Sequence, residues 1–364
     1  DMGALSRKMD DLYDASIDYT VRKKGENQCI GFVASFIDDR YAPGGERLLE
    51  PVAALLGELI CDPVTSHGRF VPEYFESEKT NLLEAIRSLV NDKRDWADSR
   101  LLRTMCTGEP YSIPRLGDEE TVDKLQALRL YDQYRDLITT APLEIIYSGS
   151  AELDRVRQAL AAAFATLPRE EVRTIADAVP HVCRESVQTV EDEMEVTQGK
   201  LSMGFSCGSD DMPALLLGNT LFGGSSNSKL FLNVREKLSL CYYASSMYHR
   251  QKGIITVSSG IEFQNYQQAY DEILSQLAAV QNGELEEWEL AGARSTLLNS
   301  YATVGDSQGK LENFYLGQAA TGRSETPADL AQAVMEVSAE RICRAMSTVK
   351  LDTVYFLKGK EAQA

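Results

Sequence analysis

A chain of 364 residues is too long for one ordinary domain and implies two. With 43% hydrophobic and 25% charged residues its composition is globular, and no run approaches the roughly 18 consecutive apolar residues of a membrane span. The formal net charge of −18 disfavours a nucleic-acid partner, whose phosphates demand clustered Lys and Arg; it describes a solvated acidic surface that would favour solubility and attract basic peptides.

The opening residues, Asp1 to Asp11, are mixed and charged and lack the apolar core of a signal peptide. A β-rich run follows at Gln28 to Ile37, then an apolar helix over Leu48 to Ile60, in which Leu48, Val52, Leu55, Leu56 and Leu59 recur at helical spacing. A Glu- and Leu-rich helix is expected over Pro72 to Leu89, another over Val122 to Leu137, and a strand at Leu143 to Ser148. The stretch 168–187 carries Pro168, Pro180 and mixed charges and reads as an interdomain linker. Beyond it, Gly253 to Glu262 reads as a strand, Tyr266 to Gln281 and Glu284 to Tyr301 as helices, Pro327 to Met346 as a helix, and Thr353 to Leu357 as a closing strand.

Strand, helix, helix, helix, strand therefore occurs twice in the same order, which implies an α+β chain of two homologous domains, 1–167 and 188–364, joined by 168–187. The seven cysteines are scattered, odd in number and never in a C-x-x-C pair. That spacing argues against a disulfide framework and against a cysteine zinc site, and it makes the cytoplasm the expected compartment.

The segment Leu221 to Ser246 carries the most chemistry. Gly223 and Gly224 with Ser225, Ser226 and Asn227 form a flexible turn ending in good N-cap residues. A helix is expected over Lys229 to Leu238, burying Leu230, Phe231, Val234 and Leu238, before a strand at Leu240 to Ala244. This succession resembles the C-terminal domain of the insulinase/pitrilysin zinc peptidases, in which a glycine-rich turn precedes R-E-K-x-x-L-x-Y. Arg235, Glu236, Lys237, Leu240 and Tyr242 match in order and spacing. Phe75 to Lys79, Asn91 to Lys93 and Gly117 to Glu120 resemble further family segments upstream.

The resemblance implies paired α+β domains forming one jaw of a clamshell. It implies too that Arg235 and Tyr242 hydrogen-bond the substrate backbone and the developing oxyanion opposite a metal, with Gly223, Gly224, Ser225 and Ser226 near the substrate; guanidinium and phenol are donors suited to that task. Active members bind zinc through H-x-x-E-H and a distal Glu. Here His67, His181 and His249 are the only histidines and no two stand at that spacing. Alignment on Glu78, Lys79 and Ile86 puts Ala85 at the distal ligand position, with Glu84 one residue, or roughly 100° of helix, away.

The expected function is thus that of a metal-free subunit of a bacterial two-subunit peptidase. It holds no metal itself and lends Arg235 and Tyr242 to a zinc-bearing homologue that cuts peptides. Two alternatives stay open: an active homodimeric zinc peptidase whose H-x-x-E-H lies upstream of residue 1, and an inactive structural core subunit. Gly204 to Gly208 also matches the serine-hydrolase G-x-S-x-G, but no helix start follows it and only His249 lies downstream. The glycine-serine run at 223–229 lacks phosphate-loop spacing.

Overall fold

The computed structural model describes residues 2–175 and 178–360. It is mixed helix and sheet, the α+β class expected from the sequence. Contacts group the chain into two compact units that interleave in sequence: Asp1–Arg87 with Arg115–Ala176, and Ser88–Pro114 with Asp177–Ala364.

In the first unit, α1 (Met2–Asp10) leads into an antiparallel hairpin, β1 (Ser16–Lys24) and β2 (Asn27–Ser35), in register from Ser16↔Ser35 to Lys24↔Asn27. Gly25, at φ 62°, opens its turn, the glycine-first arrangement of a II′ hairpin. The apolar helix α2 (Leu49–Cys61) buries Leu49 and Ala53 against Val156 and Ala159 of α7 (Leu153–Ala163). Gly57 permits that approach, because a Cβ there would stand 2.2 Å from Ala163 O. The start of α2 is fixed by Arg155, whose guanidinium grips Glu50 at 2.9 and 2.7 Å and Asp39 at 2.5 Å. Those hydrogen bonds hold the Glu50 carboxyl down at about 2.

Next in the chain come the short β3 (Thr65–Ser66) and β4 (Arg69–Phe70), α3 (Pro72–Ser88), and α4 (Lys93–Met105), which belongs to the second unit. The helix expected over 122–137 forms as two pieces, α5 (Glu119–Asp123) capped by Asp118, and α6 (Ala127–Thr140). The strand expected at Leu143 to Ser148 does not form: β2 pairs only with β1, and Leu143 and Ile145 are exposed. An alternating apolar run needs a partner edge, and none reaches this one. No helix or strand lies between Ala163 and Gln188 among the described residues.

The second unit is built on a five-stranded sheet of β5 (Gln188–Met194), β6 (Gly199–Cys207), β7 (Cys241–His249), β8 (Ile254–Ile261) and β9 (Val349–Gly359) in the order β5-β9-β6-β8-β7. Only β5 and β9 run parallel. On one face, Met203, Phe205, Ile255 and Val257 join a core shared with α8 (Met212–Phe222), α9 (Tyr266–Gln281), α10 (Glu287–Ala302), α12 (Pro327–Met335) and α13 (Ala339–Met346); α11 (Gln308–Ala319) lies between α10 and α12 in the chain. On the other face α4 packs Ala97 and Leu101 against Tyr355 and Leu357. Alternate residues of β6 serve the two faces, so that Ser202 donates to Asp98 of α4 at 2.7 Å and Gly204 faces Met105. The single helix expected over 327–346 is the pair α12 and α13, separated by Ser338, which caps α13.

Candidate functional site

The glycine turn is stitched to the sheet edge. Gly223 caps α8, its N–H donating to Asn219 O at 2.9 Å, while its carbonyl accepts from Ser246 N of β7 at 2.9 Å. A Cβ at Gly223 would stand 2.7 Å from Leu230 Cδ1 and 2.8 Å from Ser246 N, so this closeness needs glycine. Gly224 donates to the same Asn219 carbonyl at 2.9 Å, and Ser225 Oγ donates to Thr220 O at 3.3 Å. Ser226 and Gly224 are exposed.

The segment after the turn winds as a π-helix, Leu230–Lys237, rather than as the ordinary α-helix expected. Leu238 N donates to Asn233 O at 3.1 Å, the i→i+5 pattern. The wider winding corrects the expected buried face. Leu230 and Val234 are buried, whereas Phe231 is half-buried and Leu238 exposed. Phe231 and Arg235 share the adjacent face, with the guanidinium 4.7 Å from the ring centroid. Arg235 also stands 3.5 Å from Glu236, and burial pushes the Cys241 thiol up, opposed in part by the Ser259 hydroxyl and the Arg235 charge.

Tyr242 owes its exposure to a bulge. Pairing of β7 with β8 runs Cys241↔Ile261 and then Tyr243↔Gly260, leaving Tyr242 unpaired on the edge strand. Bulges re-aim side chains in this way, and Tyr242 is 61% exposed while Cys241 is buried. Its hydroxyl donates to Glu262 Oε1 at 2.5 Å, and that bond and the Glu262 charge push its ionisation upward. Arg235 and Tyr242 are thus carried by consecutive elements, joined where Leu240 N donates to Val234 O at 3.0 Å. Glu262, which follows β8 directly and meets Tyr242 only in three dimensions, carries no signal in the sequence.

The histidines occupy unrelated settings. His67 sits in the β3–β4 turn at φ 53° beside Ser66. His249 lies between Tyr111 and Thr256, both 2.9 Å from its ring nitrogens, and burial holds it down at about 4. His181 faces Glu109 and Asp352. Glu84 and Ala85 are both exposed on α3. These residues supply no H-x-x-E-H constellation. The hydrolase reading of Gly204 to Gly208 also fails: Ser206 is buried in a central strand, paired with Ile254 and Lys350, and α8 starts only at Met212.

Residues 124–297 match the family described as Peptidase M16 inactive domain. The chain is also similar to Probable inactive metalloprotease YmfF of Bacillus subtilis (strain 168), at 35% identity over 98% of this chain and 84% of that protein. The chain belongs to the peptidase M16 family. A structure from Enterococcus faecalis V583 superposes on this M16 chain with a TM-score of 0.87 at 25% identity, over 100% of this chain and 86% of that one. An M16 inactive domain from Pseudomonas fluorescens superposes at 0.77 and 16% identity, over 100% and 85% of the two chains, which speaks for the fold alone. This M16 chain is an inactive metalloprotease-like member, not catalytic alone. No helix among its described residues is long and apolar enough to cross a membrane.

Proposed function

We propose that this M16 chain is the non-catalytic subunit of a two-subunit peptidase. It presents Arg235 and Tyr242 to a peptide held by a zinc-bearing homologue. The observation that carries this reading is the bulge that turns Tyr242 out of the edge strand beside the helix bearing Arg235. Both side chains are hydrogen-bond donors, suited to a peptide carbonyl as it gains negative charge. The turn from Gly223 to Ser226 lies at the same edge, through its bond to Ser246, and would flank the peptide. We infer a cytoplasmic setting from the sequence, whose seven cysteines are scattered and form no C-x-x-C pair.

The test is reconstitution. The purified chain should hydrolyse no peptide, and adding the zinc-bearing homologue found by co-purification should produce activity that Arg235→Ala and Tyr242→Phe both reduce. Hydrolysis by the chain alone would overturn this reading in favour of a self-sufficient enzyme. Unchanged activity in both variants would leave a structural core subunit.

A further inference from the structure

Outside that edge, the second unit holds a buried cluster that the peptidase reading does not use. It is built on the C-terminus of α4. Cys106 is the C-cap residue, and Gly108, at φ 85°, turns the chain so that Glu109 N donates to Cys106 O at 2.9 Å. The C-x-x-E segment thereby folds back and presents both side chains to one side, as a C-x-x-C turn does in many zinc sites. The third member, His181, is fixed by its backbone, which donates to Lys252 O at 2.9 Å. The Sγ of Cys106, a carboxylate oxygen of Glu109 and a ring nitrogen of His181 all lie within 4.8 Å of one another. Cys106 and His181 are buried and Glu109 half-buried.

Both ring nitrogens of His181 face carboxylate oxygens. His181 Nε2 faces Asp352 Oδ2 at 3.3 Å, and Nδ1 faces Glu109 Oε1 at 2.8 Å. Asp352 is fully buried and accepts from Arg184 N at 2.7 Å and from Thr353 Oγ1 at 2.6 Å. A neutral imidazole has one N–H. With it pointing to Asp352, Nδ1 and Glu109 Oε1 turn lone pairs toward the same space, an arrangement that suits a metal ion held by both. An Asp that receives N–H from a histidine whose other nitrogen binds metal is a recurrent outer-sphere arrangement. The helix terminus adds its own preference for positive charge.

We propose that Cys106, Glu109 and His181 form a binding site for a zinc-like divalent cation, with Asp352 orienting the histidine. One sulfur, one imidazole and one carboxylate suit Zn²⁺ or Co²⁺ rather than Mg²⁺ or Ca²⁺. Lys252 Nζ, 2.6 Å from Glu109 Oε2, is the evident objection. Lys252 occupies Oε2 and leaves Oε1, the oxygen that faces His181, to the ion. The carboxylates of Glu109 and Asp352 and a Cys106 thiolate offset the positive charge of Lys252 at the site. His181 also lines an open cavity of about 380 Å³ with Cys183, Cys207 and Lys350.

The site would tie the 88–114 segment to the sheet and is independent of any zinc that cleaves peptides. The test is Co²⁺ titration of the metal-free full chain, with zinc retention after dialysis as a second measurement. One equivalent bound with a thiolate-to-cobalt charge-transfer band, lost in Cys106→Ser, supports the site, and Asp352→Asn should weaken binding about 10- to 100-fold. The band in the unmodified chain decides the matter even if a variant fails to fold. No band, or metal bound equally by a folded Cys106→Ser protein, overturns the proposal.

Discussion

Tyr242 donates its hydroxyl proton to Glu262 Oε1 across 2.5 Å, so the phenol proposed to act on a substrate carbonyl already has its one donor committed to a carboxylate of its own chain. Substrate must compete with Glu262 for that proton. In the reconstituted peptidase, Tyr242→Phe should slow turnover by about 10²–10³-fold, the usual effect of losing one oxyanion donor, whereas Glu262→Ala should leave the rate intact or raise it. Spectrophotometric titration gives an independent reading without the partner. Removing Glu262 should move the ionisation of Tyr242 to lower pH, seen as the difference between Glu262→Ala and Glu262→Ala/Tyr242→Phe. An unmoved titration would mean that the contact does not persist in solution.

Lys229 and Glu289 form an ion pair at 3.0 and 3.1 Å with both side chains almost wholly buried. Glu289 Oε2 also accepts from Glu286 N at 2.9 Å, closing the capping box of α10. Lys229→Met would strand a carboxylate in the interior and should cost about 3–5 kcal/mol in urea unfolding. Lys229→Met/Glu289→Gln should recover most of that loss, since the amide oxygen still accepts from Glu286 N. A double variant as unstable as the single one would show that packing, not charge, dominates here.

Periodicity was sufficient where one face of an element is buried. The helix over Tyr266 to Gln281 is read with both ends in place from Ile273, Leu274, Leu277 and Val280 at helical spacing, and Ile273, Leu277 and Val280 are buried with Ala269 on one stripe. Strand β6 is missed for the opposite reason. Its residues Leu201 to Cys207 are buried on both faces, between α4 and the main core, so no alternation survives to identify it. The Arg and Tyr of the site were legible as types at a family spacing. Their surroundings were not, since the π-winding, the bulge at Tyr242 and the Glu262 contact depend on partners distant in sequence. The association of α4 with the second unit is equally hidden, because Asp98 meets Ser202 across 104 positions.

Two glycines in the second unit should respond in opposite senses to alanine. At Gly223 the added methyl would meet Ser246 N at 2.8 Å, backbone that cannot yield, and overpacking of this kind costs typically about 1–3 kcal/mol. Gly292 lies within α10, where the nearest atom to an added Cβ is Asn227 Nδ2 at 4.0 Å. There Gly292→Ala should stabilise the protein by about 0.5–1 kcal/mol through helix propensity alone. Thermal melts of both variants check the pair, and a neutral Gly223→Ala would show that the turn is loosely held.

His249 gives the second unit a defined sensitivity to acid. Its ring is enclosed between Tyr111 and Thr256, and burial lowers its ionisation from 6.5 to about 4. The unfolded chain takes up the proton below about pH 6.5, whereas the folded chain resists until about pH 4. Stability from this group is therefore fully present above pH 6.5 and declines as pH falls towards 4, by up to roughly 3 kcal/mol at about 1.4 kcal/mol per pH unit. Asp98 works in the other direction: burial raises its ionisation, so its contribution is present at low pH and lost as pH rises. Comparing the chain with His249→Gln cancels that opposing slope, because Asp98 is common to both. The difference in unfolding free energy between the two proteins should shrink steadily from pH 6.5 to pH 4 and stay constant above pH 7. A difference independent of pH across that window would show that the ring is protonated and solvated in the folded state.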